Sequence, residues 1–186
     1  MKTYSIEESP FSHFFLSNTK SSVLWLIVRL YIGWEWLSAG WAKINNPAWV
    51  GDGAGSAVKG FLEGALAKTS GPHPDVQWWY AYFVENFALE HTTAFSYTVA
   101  YGELLVGLAL IFGFLVGISA FFGIFMNFNY LLAGTVSVNP IMLALGISLI
   151  LAWRVAGYLG LDYFVLPLLY RKLRPLRREG APGSGM

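Results

Sequence analysis

Four long apolar runs, parted by short polar breaks and one polar excursion, set the pattern of this chain. The first run, residues 22–43, is long enough to cross a bilayer, which takes about 20 helical residues at about 1.5 Å each. It carries Arg29 and Glu35, each about 10 Å inside one face of such a span. At about 100° per residue, Ser22, Trp25, Arg29, Gly33, Trp36, Gly40 and Lys43 fall in one stripe about 80° wide, small at alternate steps. Glu35 lies about 120° round from that stripe, beside Val28, Ile32 and Ala39. The two charges cannot satisfy each other along one helix, so each needs a partner on another helix or water.

The later runs complete the pattern. Thr92 or Thr93 can cap a second span over 93–114, with Glu103 near its midplane. After a turn at 113–117, a third span over 118–138 holds Asn127 and Asn129, which point about 200° apart. Asn139-Pro140 starts a fourth span over 140–161, with Arg154 on it and Asp162 at its exit. Between the first two spans, the excursion over 45–91 predicts two short interfacial helices forming an outer lid. One has Val58, Phe61, Leu62, Ala65 and Leu66 on its apolar side; the other, Val76 to Leu89, gathers Trp78, Trp79, Tyr80, Tyr82, Phe83 and Phe87. Residues 1–21 read as a cytoplasmic tail whose Phe11, Phe14, Phe15 and Leu16 either lie along the membrane surface or are disordered. The expected fold is therefore an all-α integral membrane protein, a four-transmembrane-helix bundle over 22–169, with a basic flexible C-terminal tail over 170–186.

Composition agrees: of 186 residues, 55% are apolar, 17% aromatic and only 12% charged, too greasy for an ordinary soluble domain. A net charge of +1, with Lys and Arg gathered at the ends, gives no stripe for nucleic acid. Five Lys or Arg residues in the C-terminal tail, against Lys59 and Lys68 facing Asp52, Glu63, Asp75, Glu85 and Glu90 in the loop, place both termini on the cytoplasmic side. The N-terminus lacks the pattern of a cleaved signal peptide. Without cysteine, thiolate chemistry and iron–sulfur clusters drop out, and His13, His73 and His91 lie outside the spans, so no haem or metal is expected. Gly51 to Gly55 before Lys59 could bind an oxyanion, but reads more simply as a turn.

Depth counting places Arg29, Glu103 and Arg154 at comparable levels, with Glu35 further out. These ions form either a polar pocket or an ion-pair network that fixes helix register, in which Arg29 and Arg154 pair with Glu103 and Asp162. In the first reading the pocket takes a flat ligand that bears carbonyl groups. Arg29 and Arg154 would bind its carbonyls, Glu103 would carry a proton, Trp25, Trp36 and Tyr158 would wall the slot, and Gly33 and Gly107 would give it room. Glu35, Lys43 and Asp162 would then be structural.

Arg29, Gly33, Gly40 and Lys43, then Gly102-Glu103 with Gly107 and Gly113, then Leu159-Gly160-Leu161-Asp162, resemble the DoxX family of small prokaryotic membrane proteins, and within it the DoxD branch. The resemblance runs from about Val23 to Leu169. It implies a subunit of thiosulfate:quinone oxidoreductase in the cytoplasmic membrane, moving electrons from thiosulfate to quinone with a protein partner subunit. Membrane lipid is a further expected partner, and self-association stays open. The alternative is a non-catalytic scaffold or lipid-holding bundle that anchors a soluble redox enzyme.

Overall fold

The computed structural model describes residues 8–173, whose regular structure is all helical, with no strand among them. A short helix α1 (Pro10–Ser17) is capped by Ser9, whose hydroxyl accepts from Ser12 N–H. Phe15 and Leu16 pack inward, Phe11 and Phe14 stay exposed, and the Trp25 indole donates to Phe15 O at 2.7 Å, tying α1 to the next helix.

That helix, α2 (Ser22–Ile44), buries the stripe expected from its sequence: Ser22, Trp25, Arg29, Gly33, Trp36 and Gly40. Its partner is α5 (Thr92–Phe112), and small residues bring the two backbones close. A Cβ on Gly40 would lie 2.8 Å from Leu104 Cα, one on Gly107 2.6 Å from Leu37 Cα, and one on Gly33 3.1 Å from Ile111 N. The three contacts fix one antiparallel register. It seats Lys43, at the end of α2, beside Glu103, and leaves the first turns of α5 projecting past Ile44.

Those projecting turns are covered by the excursion. Helix α3 (Ser56–Leu66) buries Val58, Leu62 and Ala65, and α4 (Trp78–Phe83) buries Tyr80 and Ala81. Instead of ending, α4 runs through a π turn (Val84–Ala88) and a 3-10 turn (Leu89–His91) into α5, giving one helical run Trp78–Phe112 of 35 residues. Thr92 and Thr93 therefore cap nothing, since the preceding turns already supply the backbone partners; the Thr93 hydroxyl donates to Ala54 O at 3.2 Å. The Gly51–Gly55 segment is a turn, with Gly55 at φ 99° packed against Thr93.

Helices α6 (Val116–Leu132) and α7 (Asn139–Leu151) form a second pair. They join the first pair through α5 and α2 around a core of Trp25, Ile32, Trp36, Leu110 and Leu149. Among the described residues, only Trp78–Phe112 is long and apolar enough to cross a membrane by length and composition; Val116–Leu132 and Asn139–Leu151 are shorter apolar helices. The continuous fourth span expected over 140–161 is broken. After α7 the chain leaves helical geometry at Ala152 (φ −91°, ψ 14°), makes one turn, α8 (Trp153–Ala156), then a loop, then α9 (Asp162–Leu173). Side chains and backbone from other elements satisfy the polar groups this break frees, which lets irregular backbone stay buried. Because α9 extends to Leu173, residues 170–173 are helical rather than tail. The remainder of the expected flexible tail, and most of its basic residues, lie outside the described residues.

Candidate functional site

The polar residues of the helices gather at two separate ends. At one end, Arg29 Nη1 donates to Ala156 O at 3.0 Å and Nη2 to Leu159 O at 2.8 Å, both carbonyls freed by the break after α7. Gly113 and Gly160 leave the space the guanidinium fills. Asp162 accepts from Leu115 N–H at 2.6 Å through Oδ1 and from Val116 N–H at 2.9 Å through Oδ2, capping α6 from across the fold. Leu161 N–H to Phe112 O and Asp162 N–H to Gly113 O complete the joint. Arg29 and Asp162 are both nearly inaccessible, at 1% and 3% exposure. Every one of these partners is backbone, and the arrangement clamps α2, the α5–α6 turn and the start of α9 together.

At the other end, roughly 21 Å along α2 from Arg29, Lys43 Nζ meets Glu103 Oε2 at 2.6 Å and the Tyr130 hydroxyl donates to Glu103 Oε1 at 2.5 Å. Glu103 is 1% exposed. Tyr130 is held between Trp36, stacked at 6.4 Å, and Phe61, edge-on at 5.9 Å; the Lys43 ammonium lies 5.0 Å from the Trp49 ring centroid. Each Glu103 oxygen accepts one hydrogen bond, and Lys43 uses one of its three N–H donors. A cavity of about 310 Å³ opens here, walled by Trp36, Trp49, Phe61 and Met142 and bordered by Glu35, Thr135 and Asn139. Glu35, half-buried, has no side-chain partner among the described residues.

A second, larger space of about 660 Å³ runs between α5 and α6 and shares Trp49, Phe61 and Tyr130 with the polar cavity. Its wall is almost entirely apolar. Tyr80, on its outer rim, donates to Asn129 O at 3.2 Å.

The grouping of Arg29, Glu103 and Arg154 around one slot is corrected by this geometry. Arg154 is exposed over the Trp153 ring and Tyr158 is 40% exposed, so neither faces Glu103. Gly33 and Gly107 are filled by helix contact with Ile111 and Leu37, leaving no room for a ring. Trp25 belongs to the α1 joint, while Trp36 does border the Glu103 cavity. The ion-pair alternative also changes partners: Lys43 holds Glu103, and Arg29 lies within electrostatic reach of Asp162. Depth counting misled because it began α2 and α5 at matching levels, whereas α5 projects past α2 under the lid. Tyr130, missed from sequence, sits one helical turn from Asn127 as an aromatic among aromatics; only a buried carboxylate in need of a donor could have pointed to it. His13, His73 and His91 are all exposed.

No curated protein and no solved structure matches the chain. The family profile described as DoxX matches residues 24–136, well over half of the 186. Gly33 and Gly40 of α2, the Glu103 of α5 and the Lys43 that holds it all fall within that match: the chain belongs to the DoxX family, a family of membrane proteins.

Proposed function

We propose that the chain is a four-span protein of the prokaryotic cytoplasmic membrane, with both termini inside, that binds a quinone headgroup at Lys43, Glu103 and Tyr130 and serves as a quinone-linked oxidoreductase subunit. The observation that carries this reading is the buried Glu103, held between Lys43 and Tyr130 at the edge of an aromatic-walled cavity that adjoins an apolar groove. Sites for flat amphiphilic ligands combine an apolar slot with a few convergent polar groups. Outward faces rich in exposed apolar residues, among them Ile27, Leu105, Phe125 and Ile141, support immersion in lipid. A short α7 is compatible with a span, because Arg29 hydrogen-bonds Ala156 O and Leu159 O in its broken continuation.

Lys43 offers its spare N–H groups to a carbonyl, and Glu103 fixes where that ammonium points. The Tyr130 hydroxyl and the Lys43 ammonium each hold an exchangeable proton at the cavity, and Trp36, Trp49 and Phe61 keep water from the ring plane. A bound quinone supplies two-electron, two-proton redox chemistry. Thiosulfate as the electron source rests on the likeness to the DoxD branch, with the coupling of two thiosulfates to tetrathionate releasing the two electrons. Because the chain has no cysteine, that coupling belongs with a partner subunit or with direct access of the donor to the quinone.

The test uses the full chain in lipid nanodiscs. A tail-free benzoquinone should quench the fluorescence of Trp36 and Trp49 saturably, and thiosulfate, with any co-purifying partner, should then reduce it. Saturable binding without turnover in either setting would favour the scaffold reading; no saturable binding would overturn the quinone reading.

A further inference from the structure

The groove between α5 and α6 is long, apolar and open along one side. Every third or fourth residue of α5 from Phe95 to Ala109 faces it, a length of roughly 21 Å along the helix axis. Helices α3 and α4 close its outer end, and its open side, at Leu105, Ile118 and Phe125, is highly exposed. It therefore opens sideways toward whatever surrounds the helices.

The hydrogen-bonding groups on its wall are largely committed. Ser119 donates to Phe114 O at 3.0 Å, Asn129 Nδ2 to Phe125 O at 2.8 Å, Tyr80 to Asn129 O and Tyr130 to Glu103. An occupant with polar atoms would pay their desolvation without compensation, so the groove selects hydrocarbon. A partner helix, at about 10 Å across and roughly 400 Å³ per turn, would sink into the groove only in part. A slender chain does fit.

Adjacency decides which chain. The groove and the polar cavity lie side by side with Trp49, Phe61 and Tyr130 lining both, so a molecule that reaches past these three rings would have its polar head at Lys43 and its chain along α5. We infer that the groove between α5 and α6 seats the prenyl tail of the quinone, entering sideways from the membrane, and so selects long-tailed quinones. This rests on the headgroup reading above.

The experiment measures quinone affinity, as mole fraction in nanodiscs, for a tail-free benzoquinone, a one-prenyl form and a long-tailed form, on the full chain and on Ala109→Phe and Ile118→Trp. Both substitutions narrow the inner end of the groove, about 9 Å or more from Glu103 along the fold. On the native chain the long-tailed form should bind at least tenfold tighter than the tail-free one. Either variant should cut that advantage below threefold while tail-free affinity stays within twofold. Equal affinity at all tail lengths, or variants that weaken all forms alike, overturns the tail seat and leaves the headgroup site standing. A phospholipid that co-purifies from the native chain, is lost from the variants and is not displaced by long-tailed quinone also overturns it. No binding of any form overturns both readings.

Discussion

Asp162→Ala should lower the melting temperature of the purified protein by about 10 °C, from roughly 2–5 kcal/mol of lost stability. The reason is the number of buried groups one carboxylate serves. Leu115 N–H and Val116 N–H, at the start of α6, have Asp162 as their acceptor, and both bonds are short. Removing the carboxylate leaves two buried donors unsatisfied and takes away the opposing charge nearest Arg29. Asp162→Asn should lose about half as much, since one amide oxygen can serve only one of the two N–H groups and the amide nitrogen faces the other. Quinone binding at the far end should survive in both variants. A thermal melt alongside a quinone titration checks the two halves together. If Asp162→Ala melts with the native chain, the clamp is not holding α6 in place.

The second large effect separates structure from function at the other end. Glu103→Leu alone should cost about 3–5 kcal/mol, because it leaves the Lys43 ammonium facing an aromatic wall without its counter-ion. The triple variant Lys43→Met, Glu103→Leu, Tyr130→Phe removes the charge pair and the phenol's orphaned hydroxyl together. Apolar replacement of a buried ion pair is often neutral or stabilising, so the triple variant should recover stability to within about 1 kcal/mol of the native chain. It should still bind no tail-free quinone. Recovery of both stability and binding would mean that Lys43, Glu103 and Tyr130 only lock α2, α5 and α6 together.

Much of the frame could be read from the chain. The small-residue stripe of α2 marks the face that packs on α5, because Gly33 and Gly40 are where two backbones touch. Asn139-Pro140 opens α7, and the turn between α5 and α6 falls where the glycines put it. Partner choice between helices was not legible. Arg29 and Lys43 share one face, and only the register set by Leu37, Leu104 and Ile111 decides which of them reaches Glu103. The break at Ala152 has weak local signal: no proline or glycine lies within four residues of it, and Gly157 and Gly160 come only after α8. What stabilises the break is Arg29, 127 residues before its acceptor Ala156. A side chain read as a ligand for carbonyl oxygen does bind carbonyls, but they belong to the backbone.

Photolabelling measures the central claim most directly. A benzoquinone bearing a photoreactive group on its ring, added to the full chain in nanodiscs and mapped by peptide mass spectrometry, should label around Trp36, Trp49 and Tyr130. Unlabelled long-tailed quinone should compete that labelling away, and the triple variant should abolish it. Saturable labelling around Arg29 or between Arg154 and Tyr158, with the Glu103 cavity untouched, would contradict the account.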